Sequence, residues 1–245
     1  MQRKFDAMAS ARAIAMALAV AALAMLLASG PGSRLGVWPW MTGLTLLKWA
    51  AWTGIAAAVL AALLVLLLAV PRWRARPGVP ILALCIAMAA AAPPLILLAK
   101  AKGLPLIHDI STDMDNPPAF VALLETRAKS PNGAAYGGPE VAATQQKAYP
   151  DIKPLVMRAP PREAMQRALD AARSLGWEVA ASDAATGRIE ATAVTRWFGF
   201  QDDIVVRVRP EGEGSRIDVR SVSRVGKGDV GANASRVREF LRKLA

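Results

Sequence analysis

Residues 187–209 read Gly187-Arg-Ile-Glu-Ala-Thr-Ala-Val-Thr-Arg-Trp-Phe-Gly-Phe-Gln-Asp-Asp-Ile-Val-Val-Arg-Val-Arg209, and after a turn the chain returns as Ser215-Arg-Ile-Asp-Val-Arg-Ser-Val-Ser-Arg-Val-Gly226. Apolar and polar residues alternate with the period of two that places successive side chains on opposite faces of a strand. Ile204, Val206 and Val208 share one face, and Asp203, Arg207 and Arg209 the other. Ile217 and Val219 likewise oppose Arg216, Asp218 and Arg220. The pattern predicts three antiparallel strands, near 187–198, 202–209 and 215–225, with one face in a core and the other solvated.

Upstream, Pro161 opens an amphipathic helix whose face is lined by Ala164, Met165, Ala168, Leu169, Ala172 and Leu175 and which Gly176 ends. Short strands are expected at 155–158 and 177–181, and a last helix over about 229–244 buries Ala234, Val237, Phe240, Leu241 and Leu244. A short helix is expected near 118–129, while 103–118 reads as an extended connector and 130–154 as loop. The fold class is α+β: an antiparallel sheet with helices packed on one face.

This domain, 103–245, follows a region of different composition. Hydrophobic residues make up 54% of the chain and mean hydropathy is +0.30, more apolar than an ordinary soluble domain. Apolar runs lie near 13–30, 49–70 and 79–99 and are read as three membrane spans in a region 1–102. The first is short, and a secretory signal is the alternative for it. Trp38, Trp40, Trp49 and Trp52 cluster at the start of the second, as interfacial anchors do. Pro93 and Pro94 are expected to kink or end the third.

The net charge of +11 is unevenly placed: residues 1–102 carry ten Lys/Arg and one acid, residues 103–245 twenty and eighteen. The surplus therefore belongs to the membrane flanks, and nucleic acid is not expected as a partner. Arg72, Arg74 and Arg76 crowd the connector at 71–78, which the positive-inside rule assigns to the cytoplasm. The C-terminal domain is then exported, to the periplasm in a bacterium. The only cysteine, Cys85, lies in an apolar run, so no disulfide or thiol chemistry is expected in the domain.

His108-Asp-Ile-Ser-Thr-Asp113, Asn116-Pro-Pro-x-Phe120, Ala148-Tyr-Pro-Asp-Ile152, Gly176-Trp-Glu178, Arg188-Ile-Glu-Ala-Thr192, Trp197-Phe-Gly-Phe-x-Asp-Asp203 and Asp218-Val-Arg-Ser-x-Ser-Arg-Val-Gly226 resemble the family known as domain of unknown function 1499. The resemblance covers about 104–245. It implies a fold grouping whose members are often membrane-tethered, and carries no catalytic residues.

Gly226-Lys-Gly-Asp-Val-Gly231 fits GxGxxG, but a dinucleotide site also needs a βαβ unit and an acid about 20 residues on. Only fourteen residues follow. A milder reading makes Ser223, Arg224, Gly226, Lys227, Gly228 and Asp229 an anion or ligand site at a helix start; the alternative is a plain strand-to-helix turn capped by Asp229. Trp197, Phe198 and Phe200 form either an exposed tip that contacts a membrane or partner, or a core plug. His108, Asp109, Asp113 and Asp115 have metal-ligand chemistry, but an extended connector need not converge them, and no metal or cofactor is expected. Adjacent Asp202 and Asp203 point to opposite faces and cannot flank one bond. The charged face (Glu190, Arg207, Arg209, Arg216, Asp218, Arg220) forms cross-strand pairs or an anionic-ligand surface. The expected function is a non-enzymatic, membrane-anchored module binding an envelope protein or small ligand. The alternative is an envelope hydrolase acting on a phosphate-bearing substrate at the Ser223–Asp229 turn.

Overall fold

The computed structural model describes residues 2–67 and 77–245; the arginine connector at 71–78 lies almost wholly outside them. The described chain forms two compact units. One comprises the residues through Lys102 together with Arg196–Gly199, and the other comprises Gly103–Thr195 with Phe200–Ala245.

The helical unit contains α1 (Gln2–Arg34), α2 (Trp40–Leu67) and α3 (Gly78–Lys102). Each is long and apolar enough to cross a membrane, over Asp6–Arg34, Trp40–Leu67 and Gly78–Lys102. The first is a 29-residue helical stretch, well beyond the short run of apolar residues within it. Ala15 and Ala19 of α1, Ala57 and Ala61 of α2, and Ala83 and Ala87 of α3 pack together and are fully buried. Small side chains let helix backbones approach, which is how apolar helices associate where lipid tails compete for every larger contact. Gly54 extends this seam: a side chain there would press on Ala91 Cβ and the Ala87 carbonyl, 3.0 and 3.1 Å from the position it would occupy. The third helix does not stop at its prolines. It runs through Pro93 and Pro94 to Lys102, a continuation that membrane helices tolerate where neighbouring groups satisfy the freed carbonyls.

In the second unit the chain order is β1 (Asp109–Ser111), α4 (Leu124–Ala128), α5 (Gly138–Ala148), β2 (Leu155–Met157), α6 (Pro161–Ser174), β3 (Glu178–Asp183), β4 (Arg188–Val194), β5 (Gln201–Glu211), β6 (Gly214–Ser223) and α7 (Ala232–Leu244). The sheet order is β1-β6-β5-β4-β3, all antiparallel, with β2 pairing the other end of β6. This is the expected α+β class. Ile189, Ala191, Ile204, Val206, Val208, Ile217 and Val219 form one face and pack beneath α6 and α7, where Trp177 stacks on Phe240 with centroids 5.0 Å apart.

The other face departs from the sequence reading. It is not open to water over its length, because residues 112–137 lie across one end of it. Phe120 and Leu123 bury against Val205 and Val222 as a second, smaller core. The expected helix at 118–129 shortens to α4, Leu124–Ala128, because the chain there is pinned by a side chain from the sheet. The Glu190 carboxylate accepts hydrogen bonds from the backbone N–H groups of Val121, Ala122 and Leu123 at 2.8, 3.0 and 2.8 Å, ahead of the helix start.

Two further elements were not legible as such. The connector contributes β1, and the supposed loop contains α5, whose Gly137-Gly138-Pro139 start places proline in the first turn, where its missing N–H costs nothing. Gln145 of α5 is fully buried: its amide nitrogen donates to Ser111 O at 2.6 Å and its oxygen accepts from Ser111 N at 2.9 Å. One side-chain amide thereby supplies β1 with the pairing a further strand would give.

Candidate functional site

Three arginines converge where the covered part of the second sheet face gives way to the exposed part. In the β5–β6 register Arg207 lies opposite Asp218, and Arg209 lies directly opposite Arg216. Two like charges in such a pair repel, so this arrangement needs carboxylates. Asp218, fully buried, takes Arg207 Nη2 at 3.0 Å and Arg209 Nη2 at 2.9 Å on one oxygen, and Arg216 Nε at 2.9 Å on the other. Asp113, carried over the sheet by the β1–α4 segment, takes the same three guanidinium groups at 3.0, 3.5 and 3.2 Å. Its other oxygen accepts from Asn116 N, which fixes the loop. Hydrogen bonding to Asp218 is the main cause that raises the Arg216 pKa, with the field of Asp113 adding to it. Arg209 and Arg216 keep 39% and 28% of their side-chain surface exposed, and the carboxylate of Glu211 adds to the field on Arg216.

Deeper under the segment the charges are dry. Arg220 forms a two-point pair with Asp109 (3.0 and 2.7 Å) and donates to Pro118 O and Ala134 O. Its guanidinium also lies 5.4 Å from the ring centres of both Phe120 and Tyr136. Arg127 is fully buried; it pairs with Asp203 at 3.2 Å and donates to Gly133 O and Val222 O. Burial is the chief cause lowering its pKa, opposed by Asp203. Asp203 also accepts from Thr192 and Arg224. An ion of this size costs several kcal/mol to desolvate, a cost offset only when its remaining hydrogen-bonding groups are satisfied. The carbonyl acceptors around Arg127 and Arg220 meet that requirement.

The residues singled out at the Ser223–Asp229 turn are not gathered into one site. Ser223 is buried, its Oγ accepting from Asn233 Nδ2 and its N–H donating to His108 O. Arg224 leaves on the opposite sheet face, toward Asp203. Lys227 is exposed, with its carbonyl 3.4 Å from His108 Nδ1. The start of α7 already holds an anion: the Asp229 carboxylate accepts from Gly231 N at 2.8 Å and Asn233 N at 2.7 Å. Val230 (φ 53°) and Gly231 (φ 78°) make the left-handed bend that lets it do so, a conformation a β-branched residue adopts under strain. Gly226 (φ 90°) and Gly228 shape the approach to it.

Asp109 and Asp113 are committed to different arginines, and among the described residues no group of three His, Cys, Asp or Glu could hold a metal ion. Asp202 and Asp203 do face opposite ways, the first to Arg236 at 2.6 Å and the second to Arg127. The Arg196–Gly199 tip belongs to the helical unit. There Trp197 Nε1 donates to Ser29 Oγ at 3.3 Å, and Phe198 packs beside Leu26, Leu47 and Ala50. Gly30 and Gly43 leave the room: a side chain on either would collide with Trp197 or with the Ser29 carbonyl beside Phe198. Phe200, in the second unit, donates its N–H to Thr195 Oγ1 at 2.8 Å.

A family model described as protein of unknown function (DUF1499) matches residues 109–244. The chain belongs to this family. No curated protein matches it. The match runs from β1 to the end of α7, so the DUF1499 unit includes the whole sheet, the segment that covers its second face and the arginine cluster.

Sequence reasoning missed Arg127, Asp113 as the arginines' partner, the backbone cap formed by Glu190, and Tyr136. The phenol oxygen of Tyr136 is buried with no hydrogen-bond partner among the described residues, and burial, reinforced by Asp109, pushes its pKa up to about 12. Because burial penalises the phenolate and not the neutral phenol, the fold is unaffected below the ordinary value near 10 and loses stability as the pH climbs from there toward 12. Tyr136→Phe should therefore leave stability at neutral pH within about 1 kcal/mol of wild type, since no hydrogen bond is removed. It should also flatten the fall in melting temperature between those pH values. An equally steep alkaline loss in the variant, followed by circular dichroism, would contradict the assignment.

Proposed function

We propose that this DUF1499 member is a non-enzymatic binding module, anchored by its three apolar helices, whose α+β unit recognises an anionic group on an envelope ligand. The observation that carries this reading is the rim of the arginine cluster. Arg209 and Arg216, forced opposite one another and held by Asp113 and Asp218, keep 39% and 28% of their side-chain surface exposed, so a ligand can reach both guanidinium groups. Guanidinium forks match carboxylate and phosphate geometry. Occupation of the α7 start by Asp229 favours a structural role for the Ser223–Asp229 turn over a phosphate-cleaving one.

The orientation rests on charge. Three arginines in the connector at 71–78, with Arg3, Lys4 and Arg12 before the first helix core, favour the cytoplasm for that end and the periplasm for the α+β unit. A reporter active only outside the cytoplasm, fused after Ala245, should give signal; signal from a cytoplasm-active reporter instead would reverse the orientation.

For the binding site, inorganic phosphate serves as the probe with the full chain in detergent. Phosphate stabilises proteins generally, so the readout is the difference between wild type and Arg209→Gln. Wild type should gain melting temperature with phosphate beyond the gain of the variant; identical gains would remove the site.

A further inference from the structure

We propose that Arg12 holds the phosphate oxygens of an anionic phospholipid between the helices at one end of the helical unit. Arg12 lies in α1 between Met8 and Ala11 on one side and Ala15, Met16 and Ala19 on the other, all packed into a cluster with Leu64 of α2 and Ala83 of α3. Its Nε and Nη2 are buried and make no hydrogen bond among the described residues. A guanidinium carries its charge whatever its surroundings, and buried donors of this kind are almost always paired.

The two orphaned atoms are adjacent, and together they form the side-on edge that binds two oxygens of one acidic group. The side chains packed at this level of α1 are apolar, and neither atom has a carboxylate partner among the described residues. Depth selects the ligand. No charged residue lies between Arg12 and Arg34, and the 22 helical steps from one to the other span about 33 Å, the thickness of a bilayer's hydrocarbon core. With Arg34 at one boundary, Arg12 lies at the other, at the level of lipid phosphates. Charged side chains inside helical membrane regions mark such functional contacts, and basic pockets between helices bind acidic headgroups.

The test is native mass spectrometry of the full chain released from detergent with dioleoylphosphatidylglycerol or dioleoylphosphatidylcholine. Wild type should retain the phosphatidylglycerol preferentially. Arg12→Met should lower that retention about tenfold, the scale of one lost charge-assisted contact. Arg12→Lys keeps the charge and the fold but not the fork, and should lose retention nearly as far; it decides the matter if the methionine variant fails to fold. Lys100→Met, at the far end of α3, should behave as wild type. Three outcomes would overturn the proposal: undiminished retention in both Arg12 variants, equal loss in Lys100→Met, or equal retention of phosphatidylcholine. A fourth, protection of the helices by millimolar inorganic phosphate alone to the same extent as by lipid, would assign the fork to a soluble anion instead.

Discussion

A fully buried arginine sets the terms for the α+β unit. Arg127 cannot be left dry and alone, and neither can Arg220, Glu190, Asp203 or Asp218, which share its face of the sheet. Each is satisfied by another charge or by backbone groups, and much of that backbone belongs to residues 112–137. Glu190 takes the N–H groups of Val121 to Leu123, Arg127 the carbonyl of Gly133, and Arg220 those of Pro118 and Ala134. The segment is therefore held to the sheet by charge-assisted bonds around a four-residue apolar patch, where a hydrophobic layer would otherwise be needed. Removing either side leaves buried charges unpaired, so sheet and segment form as one cooperative structure.

The same constraint shapes the surface. Where the segment ends, the ladder of charges continues into water, with Asp113 as the last residue it contributes. The three arginines there differ from Arg127 and Arg220 in exposure. A single alternating pattern on β5 and β6 thus supplies buried ion pairs at one end of the face and a partly exposed arginine cluster at the other.

How far the sequence discloses this follows from what alternation can encode. The apolar face was legible, because Ile204, Val206, Val208, Ile217 and Val219 have one plausible environment, and α6 and α7 were legible from Pro161, Gly176 and their apolar stripes. The charged face was not. Arginine and aspartate alternate in the same way whether they meet water or one another, so the solvated reading was natural. Nothing local to residues 112–137 signals a covering layer, since its grip depends on Glu190, some seventy positions away. Helix α5 was hidden because its glycine–proline start resembles a breaker and its one deeply buried residue is the polar Gln145. In the helical unit, the apolar runs and their number were legible, while α3 continues through Pro93 and Pro94 against the usual helix-breaking effect of proline.

The most direct measurement is native-state hydrogen exchange of the full chain in wild type and Glu190→Ala. The amides of Val121, Ala122 and Leu123 should exchange in wild type as slowly as those of β5. In the variant they should be released together, with the unit destabilised by about 1–3 kcal/mol for each N–H group that stays buried without an acceptor. Exchange of those amides at open-loop rates in the wild type would show that the segment is not bound to the sheet by its charges.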